Sequence, residues 1–125
     1  MYKKTITYTD FDGVERTETF LFNFTKEQTM KLQNSVAGGL DERIKKLNVA
    51  TDNVEIYNLF RSIVLDAYGE KSEDGRHFYK SDEIRSEFES TKAFSEIVWS
   101  LIDGGEKAMA EFIEQVVPNA TSQNA

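Results

Sequence analysis

His77 is the one histidine of the chain, and it stands close to Glu73, Asp74 and Asp82. An imidazole beside carboxylates is suited to acid–base work near neutral pH. Such work also needs a positioned nucleophile and a substrate pocket, and the sequence around His77 supplies neither. The simpler reading is a solvent-exposed histidine in a polar loop. Asp10, Asp12 and Gly13 resemble the opening of a calcium loop, but the glycine comes too early for that pattern. A hairpin turn at Asp12-Gly13 accounts for the same residues. Gly38-Gly39 and Gly104-Gly105 each precede helical segments, where free amides could hold a phosphate. Glycine pairs there are more simply helix terminators. The carboxylates between residues 70 and 83 could mimic nucleic-acid phosphates, yet Lys71, Arg76 and Lys80 interrupt them, as on a solvated mixed-charge surface. No nucleotide loop, zinc-protease motif or nucleophile elbow is present. Catalytic residues, cofactors and metals are therefore all expected to be none.

Composition narrows the class further. The chain has 125 residues, 15 basic and 22 acidic, for a formal net charge of −7. That length fits one domain with a core of its own. It has no cysteine, which removes disulfides, thiolate nucleophiles and cysteine-ligated metals together and suits a reducing cytosol. The acidic balance argues against binding nucleic-acid phosphates or anionic lipid. The N-terminus, Met1-Tyr2-Lys3-Lys4, lacks the apolar stretch of a signal peptide, and no run approaches the ~20 apolar residues of a membrane span. With 39% apolar and 12% aromatic residues, the composition is that of a globular protein rather than a disordered one.

The elements follow from periodicity. Residues 2–8 alternate, with Tyr2, Lys4, Ile6 and Tyr8 on one face of a strand. After the Asp12-Gly13 turn, residues 14–22 read as the return strand, with Val14, Phe20 and Phe22 on one side beside Arg16 and Glu18. A lone hairpin is marginal in water, so this one must pack on something. Thr25 and Gln28 form a capping box that opens a helix over about 26–36. A short helix over about 40–49 follows the Gly38-Gly39 break. A third, over about 53–68, repeats Ile56, Phe60, Ile63, Val64 and Ala67, with Gly69 placed as a left-handed stop. Residues 69–80 read as a polar connection, either a loop or a small hairpin with its tip at Asp74-Gly75. Ser81 caps a helix over about 82–88, and Ser90 or Thr91 caps another over about 92–103. A last helix over about 106–117 ends at Pro118, before a frayed tail at 119–125. The expected fold is α+β: an N-terminal β-hairpin (1–23) followed by a bundle of five to six α-helices (25–118). Residues 1–118 are expected to form a single domain.

Some apolar residues do not fit a single core stripe. On the helix over about 92–103, Trp99 lies roughly 120–140° away from the stripe of Phe94, Ile97 and Leu101, at 100° per residue. Leu65 is similarly displaced on the third helix. The last helix carries a broad arc of Met109, Phe112, Ile113, Val116 and Val117. These seven residues are the candidate partner-binding set, with Trp99 foremost because tryptophan is enriched among contact anchors. The competing reading is that neighbouring helices cover them on two sides.

Several stretches in order give the chain a family likeness. They are Asp12-Gly13-Val14-Glu15-Arg16-Thr17-Glu18 with Phe20-Leu21-Phe22-Asn23-Phe24; Gly38-Gly39-Leu40-Asp41-Glu42-Arg43-Ile44-Lys45-Lys46; Ala67-Tyr68-Gly69-Glu70-Lys71-Ser72-Glu73-Asp74-Gly75-Arg76-His77-Phe78; and Phe94-Ser95-Glu96. Over about residues 5–118 the pattern resembles the tail assembly chaperones of long-tailed (siphovirus-type) bacteriophages of Gram-positive bacteria. None of these stretches is a catalytic motif. The resemblance implies a non-enzymatic protein of the host bacterial cytoplasm, absent from the mature virion. It implies binding to the helical tape measure protein, and help for tail tube protein assembling around it. It further implies that this chain is a short form beside a frameshifted longer form, with homo-oligomers among its expected states. No nucleic acid or membrane partner is expected.

The alternative reading is an acidic phage-encoded inhibitor that mimics nucleic acid to block a nuclease. It requires a dense carboxylate face, and the interspersed Lys and Arg weaken it.

Overall fold

The structure is a computed structural model, and it describes residues 1–35 and 53–117. The expected helix over 40–49, the Gly38-Gly39 break, Pro118 and the tail at 119–125 lie outside the described residues.

Strands β1 (Tyr2–Thr9) and β2 (Glu15–Phe22) pair antiparallel, with Tyr2 opposite Phe22 and Thr9 opposite Glu15. The even positions of β1 are partly buried and the odd positions exposed, as the alternation requires. On the exposed face, Thr5 and Thr19 share a hydroxyl hydrogen bond of 2.7 Å, and Thr7 and Thr17 one of 2.9 Å. The connecting turn is held by Asp10, whose carboxylate accepts the backbone N–H groups of Asp12 and Val14. Gly13 closes it at φ 81°, a left-handed conformation that glycine adopts without a Cβ penalty.

Helix α1 (Lys26–Ser35) begins at the expected capping box. Gln28 donates its backbone N–H to the Thr25 hydroxyl, and the Gln28 side chain accepts the Thr25 N–H. Helix α2 (Asn53–Ala67) buries Ile56, Phe60, Ile63, Val64 and Ala67. It runs straight into β3 (Tyr68–Lys71), which pairs with β2 through Leu21–Gly69 and Phe22–Tyr68. Strand β4 (Phe78–Tyr79) folds back on β3, with Gly75 at φ 77° in the tip between them. The 69–80 segment is therefore a hairpin, and the sheet has four strands in the order β1-β2-β3-β4.

This corrects the reading of Gly69. It does not end a helix in a left-handed conformation; it is a strand residue opposite Leu21. Its lack of a side chain serves close packing, because a Cβ there would lie 2.5 Å from Cε2 of Phe78.

Helices α3 (Asp82–Glu89), α4 (Lys92–Asp103) and α5 (Gly105–Val116) complete the described fold. Ser81 caps α3 and Thr91 caps α4, each hydroxyl accepting an N–H three residues on. The result is mixed α+β, an antiparallel strand pair with five described helices, enlarged by the second hairpin. The core is an aromatic cluster where sheet meets helices. Phe22 is fully buried, with ring centroids of Tyr2, Tyr68, Phe88 and Phe112 all 5.7–6.0 Å away. Tyr68 and Phe88 stack at 4.0 Å. Burying a phenylalanine this fully is worth about 1.5–3 kcal/mol over leaving it exposed.

Candidate interaction surface

Helix α4 separates its residues sharply. Ala93, Phe94, Ile97, Val98 and Leu101 are buried, whereas Trp99 remains 63% exposed. At helical spacing, Trp99 shares its outward side with Lys92, Glu96 and Asp103. The Lys92 ammonium sits 5.1 Å from the centroid of the Phe11 ring. Phe11, at the tip of the first hairpin, is 75% exposed. The hairpin tip thus meets the first turn of α4, and Trp99 follows Lys92 by about 10.5 Å along the helix. Two exposed aromatics and a lysine form a strip that could grip apolar side chains. It carries no nucleophile and no acid–base pair.

The other six residues of the candidate set lie in the interior. Leu65, Met109, Phe112, Ile113, Val116 and Val117 are all buried. The breadth of the apolar arc on α5 has a structural cause. Phe112 packs edge-on to the Tyr2 ring at 5.0 Å and also meets Phe22, while α4 lies along the helix as well. At the end of α5, the Val116 carbonyl accepts the Phe24 N–H. A helix covered from two directions needs apolar residues over a wide arc. Leu65 is buried on α2, against which α3 and α4 both pack.

The structure corrects the reading of Lys80 as part of a solvated mixed-charge surface. Its ammonium donates to the backbone carbonyls of Asn23 (2.7 Å) and Asp66 (2.8 Å) and to the side-chain oxygen of Gln28 (3.1 Å). The same nitrogen lies 4.7 Å from the Phe24 ring centroid. It ties the end of β2, the start of α1 and the last turn of α2 to the β4 side of the sheet. Burial lowers its pKa to about 8. A concavity of about 370 Å³ beside it is lined by Phe24, Gln28, Lys31, Leu32 and Asp66. With all three donors engaged, the amine is a clasp rather than a nucleophile. A lysine between Tyr79 and the Ser81 cap gives no signal of this in the sequence, because its three partners come from distant segments.

The groups around His77 are similarly occupied. Asp74 accepts from the Ser72 hydroxyl and the Arg76 N–H, contacts that hold its carboxyl below the ordinary range. The backbone N–H of His77 donates to the Ser72 hydroxyl, and its ring stacks on Tyr79 at 5.6 Å. These residues build the tip of the second hairpin. Among the described residues, no group of three or more His, Asp or Glu side chains is placed to hold a metal ion. Likewise, no described helix is long and apolar enough to cross a membrane.

No curated protein and no solved structure matches the chain. The family model of phage tail assembly chaperones matches residues 1–125. Such a chaperone has phage tail proteins as its partners. The match spans the whole chain, and on it the chain belongs to the phage tail assembly chaperone family.

Proposed function

We propose that this protein is a non-enzymatic chaperone that binds the tape measure protein of a siphovirus-type phage of Gram-positive bacteria and keeps it soluble while tail tube protein assembles around it. The observation that carries this reading is the family match over residues 1–125. The protein acts in the host bacterial cytoplasm and is left out of the mature virion. It is the short form, working beside a frameshifted longer form. The net charge of −7 supports solubility of a complex with an apolar client. Several copies on one long client add avidity, so each contact need not be tight.

Trp99 is the proposed client anchor, joined by Phe11 at the hairpin tip. Exposed aromatics gain most when a partner desolvates them. The acidic-inhibitor reading has no observation in its favour. Co-expression with overlapping tape measure fragments tests the proposal. At least one fragment is expected to become soluble and to co-purify, and Trp99→Ala is expected to weaken its capture about tenfold or more, as truncation of a contact hot spot does. If no fragment binds either the short or the longer form, the tape measure reading is wrong. If fragments bind and Trp99→Ala captures them as well as wild type, the placement of the surface is wrong.

A further inference from the structure

We infer that Trp99, with Glu96 and Asp103 one turn to either side, is a receptor for an arginine side chain of the client, whose guanidinium lies on the indole face and bonds a carboxylate. This rests on the reading of Trp99 as the client anchor and names the chemistry that the anchor holds.

At about 100° per residue, Lys92, Glu96, Trp99 and Asp103 fall within about 60° of arc on α4. All four are exposed. Glu96 precedes Trp99 by about 4.5 Å along the axis and Asp103 follows it by about 6 Å, so both are its neighbours on the helix surface. Lys92 is the cation of this stripe, and it stands four residues before Glu96, a spacing that permits an ion pair. Its ammonium lies instead 5.1 Å from the Phe11 ring centroid. Among the described residues, no hydrogen bond or ion pair engages the carboxylate of Glu96 or of Asp103. Arg16, Arg61 and Arg85 are held elsewhere, by Asp10, Glu89 and Asp66.

The fold contains a completed example of the same arrangement. The Arg61 guanidinium lies 5.2 Å from the Phe94 ring centroid and donates to the Glu89 carboxylate at 2.5 Å. Trp99 with Glu96 or Asp103 supplies the ring and the carboxylate of such a triad on the outside of α4, and indole holds a cation better than phenyl does.

The charges choose the occupant. A purely apolar segment laid on Trp99 would strip water from two carboxylates and offer them nothing in return. An acidic segment would be repelled. A cation covers the ring and satisfies a carboxylate together. Arginine suits this better than lysine, because its weakly hydrated planar guanidinium stacks on an aromatic face while its N–H edge reaches a carboxylate. Its apolar stem covers the rest of the indole.

Trp99 is the single tryptophan of the chain, so indole emission reports this site alone. The probe is a synthetic helix of alanine and glutamine that carries arginines seven residues apart with leucines between them. It is expected to bind the whole chain and to shift the Trp99 emission. Citrulline in place of arginine keeps the shape without the charge and is expected to weaken binding about tenfold, and lysine several-fold. Glu96→Gln with Asp103→Asn is expected to weaken the arginine probe about tenfold as well. Glu83→Gln with Glu87→Gln makes the same change in net charge on the exposed side of α3 and is expected to leave binding unchanged. Glu96→Lys with Asp103→Lys is expected to reject the arginine probe and to accept one carrying glutamates. All these positions are exposed, and circular dichroism confirms that the variants fold. No binding at millimolar probe, equal binding of the citrulline probe, binding without a change in Trp99 emission, or equal losses from the α4 and α3 pairs each overturns the inference. The probe holds no tape measure sequence, so its failure leaves the capture of tape measure fragments to the co-expression test. An arginine receptor that captures no such fragment refutes the tape measure reading alone.

Discussion

Truncating Phe112 and truncating Trp99 remove similar aromatic groups from neighbouring helices, and the structure assigns them opposite consequences. Phe112 is fully buried and contacts the rings of Tyr2 and Phe22 at 5.0 and 5.7 Å. Phe112→Ala leaves a cavity at the junction of α5 with the sheet. Buried Phe→Ala changes cost about 3–5 kcal/mol, and the two edge contacts place this one toward the upper half. A chain of this length is stable by roughly 6–19 kcal/mol, so the variant remains folded but is much weakened. With a urea m-value of about 1.5–2 kcal/mol per molar, the midpoint falls by about 2–3 M at unchanged slope. Trp99 is 63% exposed, so Trp99→Ala is expected to change stability by no more than about 0.5 kcal/mol. Urea titration followed by circular dichroism at 222 nm measures both. Equal midpoint losses for the two variants would falsify the separation of core from surface on which the contact assignment rests. So would a Phe112→Ala midpoint close to wild type.

Lys80 gives a pH-dependent test. In the fold its proton is released near pH 8, whereas the unfolded chain holds it to about 10.5. Between those values the unfolded state binds more protons, so this group makes stability rise with pH. The full shift corresponds to about 3 kcal/mol, and solvent access reduces the expected gain to about 1 kcal/mol. The wild type is expected to gain that much on Lys80→Met between pH 7.5 and 10 in matched urea titrations; parallel profiles would contradict it. The window closes near pH 10, because Tyr2 and Tyr68 are held neutral above the ordinary tyrosine range by burial and then favour the unfolded chain. Gly69→Ala is expected to cost about 1–3 kcal/mol by forcing the Phe78 ring aside. Nuclear magnetic resonance should show the change concentrated at β3 and β4. Thr91→Ala removes the acceptor for the Phe94 N–H and should lower stability by about 1 kcal/mol in thermal melts, while Thr91→Ser should restore most of it.

The elements most legible in the sequence are those defined by neighbours in the chain. The alternation from Tyr2 to Tyr8, the Asp12-Gly13 turn, the Thr25–Gln28 box and the Ser81 and Thr91 caps all act over four residues or fewer, and each appears where expected. Gly69 was harder because its role depends on Phe78, nine residues on, and on the pairing of β3 with β2. Lys80 had no local signature at all. Its carbonyl partners lie 57 and 14 residues away.

The candidate contact residues divide along the same line. Periodicity located Trp99, Leu65 and the broad arc of α5 off a single stripe, and that much follows from helix geometry alone. Whether an off-stripe residue meets water depends on how many elements surround its helix. α5 is covered by both β1 and α4, so Met109, Phe112, Ile113, Val116 and Val117 become core. Among the described residues, only the hairpin tip meets the outer side of α4, at its first turn, and Trp99 is exposed. By itself, the sequence determined the first hairpin, the capped helix starts at Lys26, Asp82 and Lys92, the acidic charge and the family pattern, because each is set by residue types and short spacings. Only the tertiary structure decided which apolar surface is spent on the fold and which is left for a partner, because burial belongs to the arrangement of elements and not to any one of them.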